Sequence, residues 1–131
     1  MLGLDTNVLV RFLVRDDEEQ FERAQRLIRR EAQAGTAVLV SHLVLLETEW
    51  VLRSRYKLTK AEILGAFSDL MSAIDVTFED EPAIEEALFT WKNSAAQFAD
   101  CLIGARYGTL TCSATATFHA DALKLPGFVA A

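Results

Sequence analysis

Apolar runs of three or four residues recur along this chain, and each gives way to a stretch with helical spacing. Leu2-Gly3-Leu4, Ala37-Val38-Leu39-Val40 and Asp75-Val76-Thr77-Phe78 are too short for helices and read as buried strands. Leu110-Thr111-Cys112 reads as a fourth, and Thr115-Ala116-Thr117-Phe118 as a fifth or its extension. Short strands alternating with one or two helices imply a parallel sheet covered on both faces. The expected class is α/β, with a short, mainly parallel sheet.

The helices announce themselves by their ends. Val8 to Val14 is apolar except for Arg11 and suits a short buried helix. Asp16-Asp17-Glu18-Glu19 places acid at the start of the next, where the macrodipole favours it. Phe21, Ala24, Leu27 and Ile28 give that helix one apolar face, and Gly35 ends it. Arg23, Arg26 and Arg30 share another face, which is either plainly solvated or available to phosphates. Ser41 can cap a helix from about His42 to Arg55. Thr59-Lys60-Ala61-Glu62 is a capping box, opening a helix to about Met71. Glu79-Asp80-Glu81-Pro82 opens another, with Ile84, Ala87, Leu88 and Trp91 on one face. Phe98 to Tyr107 is helical again and is stopped by Gly108; a short helical piece precedes Pro126-Gly127-Phe128.

The length of 131 residues suits one domain, residues 1–131, with room for a core. A hydrophobic content of 51% argues against disorder. No apolar run is long enough to span a bilayer, and Asp5 and Asn7 interrupt the place of a signal peptide. The expected location is cytoplasmic, with no membrane partner. Cys101 and Cys112 form no C-x-x-C pair, and with His42 and His119 they show no zinc spacing; both are expected to be buried free thiols. The net charge of −6 is wrong for a simple electrostatic binder of nucleic acid and right for a basic protein partner.

Three acids stand in apolar sequence. Asp5 follows the first strand, where open α/β sheets keep their ligands, or it simply caps the helix beyond. Glu47 has Leu43, Val44, Trp50 and Val51 as helical neighbours, which places it on the core-facing side; it then needs a metal, a proton, or a partner such as Arg53. Asp100 lies early in an apolar helix, as a ligand or as an acid serving the helix dipole, with small Gly104 and Ala105 allowing close approach. Brought together at the carboxyl edge of a parallel sheet, three carboxylates would demand a divalent cation. Oxygen ligands suit Mg²⁺ or Mn²⁺, and the reaction class is metal-assisted phosphodiester hydrolysis.

Four motifs in order carry a family resemblance: Leu4-Asp5-Thr6-Asn7-Val8-Leu9, Leu46-Glu47, Phe98-Ala99-Asp100-Cys101-Leu102-Ile103, and Thr117-Phe118 with Leu125-Pro126-Gly127-Phe128. On these the chain resembles the PIN-domain ribonucleases, most closely the VapC-type toxins of VapBC toxin–antitoxin pairs. The resemblance spans nearly the whole length. It implies an α/β/α sandwich and a Mg²⁺-dependent endoribonuclease, with Mn²⁺ as the other candidate ion. Asp5, Glu47 and Asp100 are the implied catalytic acids, with Asp5 and Asp100 as metal ligands. Thr6 or Asn7 would orient Asp5, and Thr117 would line the site. It further implies a cognate VapB-type antitoxin with a basic tail, RNA as substrate, DNA met only through the antitoxin, and a homodimer within a larger complex. Val8, Leu9, Phe12 and Leu13 are the implied antitoxin groove. The chain departs from the pattern once: His119 stands where the family commonly has an acid, with Asp121 two residues on.

Two other readings remain open. Haloacid-dehalogenase-type phosphatases also place an aspartate after their first strand, but they need a second acid two residues on, where this chain has Asn7. A PIN-like binding module whose catalytic site has decayed is the alternative that His119 suggests.

Overall fold

The structure is a computed structural model that describes residues 1–131. It has the expected α/β character, with six α-helices and short, all-parallel strand pairings. The chain forms two compact units, Met1–Glu79 and Asp80–Ala131. No helix is long and apolar enough to cross a membrane.

The first unit runs β1 (Leu2–Gly3), α1 (Thr6–Val14), α2 (Glu18–Gln33), β2 (Val38–Val40), α3 (His42–Ser54), α4 (Lys60–Met71) and β3 (Val76–Phe78). Its sheet has the order β1-β2-β3, with Leu2 opposite Val38 and Val38 opposite Val76. Val38 and Val40 on the central strand are fully buried, as a parallel strand covered on both faces requires. β1 is one of the two edge strands of this sheet. Leu2 and Gly3 are exposed, and only Leu4 beyond them is buried, so the expected burial of the first strand begins at its end.

The caps fall where the side chains dictate. Ser41 accepts the Val44 N–H at 3.2 Å, and the Glu79 carboxylate accepts the His42 N–H at 2.8 Å, so β3 ends on an acid that satisfies the start of α3. Thr59 and Glu62 complete the capping box of α4. Phe67, Ile63, Leu45 and Leu52 are the largest side chains wholly withdrawn from solvent in α3 and α4.

The second unit runs α5 (Glu81–Lys92), α6 (Phe98–Thr109), β4 (Thr115–Thr117), a short 3₁₀ turn (Ala122–Lys124) and β5 (Phe128–Ala130). Trp91 and Phe98 pack with ring centroids 5.1 Å apart. β4 and β5 pair in parallel, Thr115 opposite Phe128. Two strand assignments are corrected here. Leu110-Thr111-Cys112 is not a strand: α6 continues past Gly108, Leu110 donates to the carbonyls of Arg106 and Tyr107, and Thr111 turns the chain with φ at 66°. The strand after α6 is Thr115–Thr117, and its partner Phe128–Ala130 follows Gly127, whose φ of 83° makes the turn. Cys101 is buried as expected, but Cys112 lies in the exposed turn after α6.

Candidate active site

Asp5 sits between β1 and α1 and caps that helix, its Oδ1 accepting the Thr6 N–H at 2.8 Å. Oδ2 receives no hydrogen bond, and the side chain is exposed. The capping role and the ligand role are therefore compatible: one oxygen is fixed and the other is available. Thr6 is buried behind it, while Asn7 is exposed beside it.

Glu47 does not face the core. The buried stripe of α3 is His42, Leu45, Thr48, Glu49 and Leu52, and Glu47 is exposed. Its apolar neighbours misled because two of them are themselves solvent-facing: Leu43 is 79% exposed and Trp50 is 51% exposed. The buried acid of this helix is Glu49, and it is Glu49 that pairs with Arg53, Nε to Oε2 at 2.9 Å. Glu47 makes no ion pair or hydrogen bond.

Asp5, Thr6, Asn7 and Glu47 line one cleft of about 310 Å³, together with Val10, Arg11, Trp50, Val51, Arg55 and Tyr56. One wall is a network that sequence reasoning missed. Arg11 Nη1 donates to Asp16 at 2.9 Å and to the Tyr56 hydroxyl at 2.8 Å, and that hydroxyl donates to Asp16 at 2.9 Å. The Tyr56 hydroxyl, with Arg11 after it, holds the Asp16 carboxyl below the usual range; burial and Asp16 push the Tyr56 phenol up. Because its links span up to 45 residues of sequence, no local pattern could have shown it. Arg55 in the same cleft has no acid bonded to it.

The second unit holds the remaining candidates. Asp100 is the third residue of α6, and its Oδ2 accepts the Gln97 N–H at 3.1 Å. The same oxygen lies 2.6 Å from His119 Nδ1, so the departure from the family pattern is bonded directly to a catalytic candidate. Thr117 on β4 receives the His119 N–H at 3.0 Å on its hydroxyl, which fixes the loop that presents the imidazole. Asp121 does not turn in as a substitute; it lies 3.8 Å from Lys124 along the 3₁₀ turn.

The expected antitoxin groove on α1 is altered. Leu9 is 0% exposed and lines no surface. Phe12 is half-buried and stacks on Phe21 with centroids 5.9 Å apart, and Leu13 is half-buried as well. Val8 does line a concavity, of about 830 Å³, but its other walls include Arg11, Arg23, Arg26 and Arg30.

No group of three or more His, Cys, Asp or Glu side chains is already gathered to hold an ion. The donors present nonetheless fit one. Asp5 and Glu47 bring carboxylate oxygens to one cleft without an arginine or lysine bonded to either, and oxygen is the ligand that Mg²⁺ and Mn²⁺ prefer. The sequence matches the family model described as PIN domain over residues 3–107. No curated protein matches the chain.

Proposed function

The chain belongs to the PIN-domain family, and from that premise we propose that it is a divalent-metal-dependent endoribonuclease acting as the toxin of a toxin–antitoxin pair. PIN domains are generally metal-dependent nucleases, which gives the coarse activity. The observation that carries the finer reading is the cleft in which Asp5 and Glu47 stand with no arginine or lysine bonded to either, although Arg11 and Arg55 line it too. Asp5 and Glu47 are the carboxylates of this cleft assigned to hold Mg²⁺ or Mn²⁺. Such an ion, when bound, supplies positive charge to the phosphate and makes water a stronger acid.

The chain's own residues have separable tasks. The Thr6 N–H fixes the orientation of Asp5 and leaves Oδ2 outward. Glu47, with no bonded partner, is the group positioned to take a proton from the attacking water. Arg55 and Asn7 offer donors to the phosphodiester oxygens in the same cleft. The Arg11–Asp16–Tyr56 network holds the wall rigid. The test is release of labelled fragments from single-stranded RNA with Mg²⁺ or Mn²⁺, abolished by EDTA. Metal-independent cleavage would sink the reading.

The antitoxin is assigned to the same region. Leu43 and Trp50 are exposed apolar side chains on the helix that carries Glu47, and the chain's net charge is −6. A basic, amphipathic antitoxin tail fits there, apolar residues on Leu43 and Trp50 and an arginine toward Asp5 and Glu47. DNA would be met only through that antitoxin, and a toxin homodimer is part of the reading. Growth arrest on expression, relieved by the co-expressed antitoxin, is the cellular test. The 2.6 Å contact between His119 and Asp100 favours one rival, a binding module without turnover; multiple-turnover RNA cleavage excludes it.

A further inference from the structure

None of the four arginines on α2 has a counter-charge, and three of them line one groove. Arg23, Arg26 and Arg30 make no ion pair and no side-chain hydrogen bond. In a chain of net charge −6, none of this local positive charge is offset by a bonded acid. Nor do they project from a convex helix surface. They line the concavity of about 830 Å³ between α1 and α2, over Val8, Ala24 and Leu27, and no acidic residue lines it. Arg11, at the head of the groove, is already held by Asp16, Gln20 and Tyr56. Asn7 and Arg11 line both this groove and the cleft of Asp5 and Glu47, so the two adjoin along α1.

We propose that the α1–α2 groove is a phosphate track that holds the RNA strand beside the cut site, with Arg23, Arg26 and Arg30 taking successive backbone phosphates. The proposal rests on the nuclease reading for the identity of the polyanion. From Arg23 to Arg30 the helix rises about 10 Å, enough for a few phosphates of a single strand rather than one. With Val8, Ala24 and Leu27 between the arginines, the track holds the strand chiefly through its phosphates, contacts that position a strand without reading its sequence. Charge also decides against a basic antitoxin tail here, because the arginines would repel it.

The test uses the full chain in the Asp5→Asn background, so that the strand is not cut. Fluorescence anisotropy of a fluorescein-labelled oligouridylate, in EDTA, gives Kd across a salt series. Loss of three phosphate contacts should lower the slope of log Kd against log salt by about 2. The triple variant Arg23→Gln, Arg26→Gln, Arg30→Gln should show that drop and weaken binding about tenfold or more at low salt. A charge-matched control, Arg29→Gln with Lys57→Gln and Lys92→Gln, should leave the slope unchanged; those side chains lie outside the groove. Lysine at the three groove positions should retain the slope, which a purely structural role would not explain. An unchanged slope in the glutamine variant overturns the track, as does a poly-glutamate chain binding the groove as tightly as the RNA. Failure of the nuclease reading looks different: no cleavage by the unaltered protein, with the salt slope still dependent on the three arginines.

Discussion

The acids of the first unit and the acid of the second are treated differently. In the cleft between α1 and α3, Asp5 keeps one oxygen unbonded and Glu47 keeps both. On α6, Asp100 has one oxygen taken twice, by the Gln97 N–H and by His119. Elsewhere the protein gives its structural acids arginines: Glu49 has Arg53, Asp16 has Arg11, and Asp80 has Arg106 at 2.9 Å. Three acids that tie elements together are thus paired with arginines, whereas Asp5 and Glu47 are not. The comparison also separates Asp100 from the other two, because its Oδ2 is already engaged by a backbone N–H and an imidazole.

The largest expected effect sets Glu47 against Glu49. Asp5→Asn and Glu47→Gln should each lower RNA cleavage about 10²–10⁴-fold while leaving the melting temperature within a few degrees. Glu49→Gln should do the opposite, keeping most activity and losing about 1–2 kcal/mol of stability, since Glu49 is 4% exposed and its partner Arg53 is half in water. Cleavage assays beside thermal melts read both. If Glu49→Gln silences the protein and Glu47→Gln does not, the paired and open acids have been assigned the wrong way round.

His119 gives the next test. His119→Asp would put a second carboxylate beside Asp100, a pair whose repulsion a divalent cation relieves, so divalent affinity should rise several-fold, more for Mg²⁺ than for Mn²⁺. His119→Ala should change affinity less, because the Gln97 N–H still holds Asp100, and should mainly narrow any preference for Mn²⁺. Calorimetric titration of all three proteins with each ion decides this. Equal affinities throughout would remove position 119 from the metal site.

The sequence was legible wherever a local interaction sets the structure. Thr59 and Glu62, Ser41, and Asp5 act over three residues or fewer, and all cap the helices expected of them. Glu47 was misplaced because helical spacing identifies an apolar face but not what covers it; Leu43 and Trp50 are apolar and face water. β5 was missed because Phe128–Ala130 is a strand only by virtue of Thr115–Thr117, a partner outside its own window. The arginine stripe of α2 was visible, but whether it bordered solvent or a groove depended on how α1 packs.

Gly104 tests how closely the second unit is packed around its acid. A Cβ there would meet the ring of Phe128 at 2.7 Å, so the absence of a side chain is what lets β5 approach α6. Gly104→Ala gains up to about 1 kcal/mol of helix propensity and loses about 1–3 kcal/mol to overpacking. A net loss of about 1 kcal/mol is expected in denaturant melts, recovered by pairing it with Phe128→Leu. A stabilised single variant would mean that the ring yields without cost.

The smallest effect concerns pH and returns to the wall of the first cleft. Asp16 is depressed below the ordinary aspartate range, first by the Tyr56 hydroxyl and then by Arg11. A depressed carboxyl contributes stability that is whole above its unfolded value, about 3.9, and is lost as pH falls through the folded value. Tyr56 is raised, chiefly by burial, so its neutral form is favoured; that contribution is whole below about 10 and is lost as pH rises through the folded value. Between these limits the network keeps one protonation state. Asp16→Asn should therefore flatten only the acid limb of a melting-temperature profile, and Tyr56→Phe should change the alkaline limb. Neither should reshape the pH dependence of cleavage near neutrality, because the wall does not titrate there. Reshaping of the neutral profile by Tyr56→Phe would make the hydroxyl a participant in cleavage rather than a support for the cleft that holds Asp5 and Glu47.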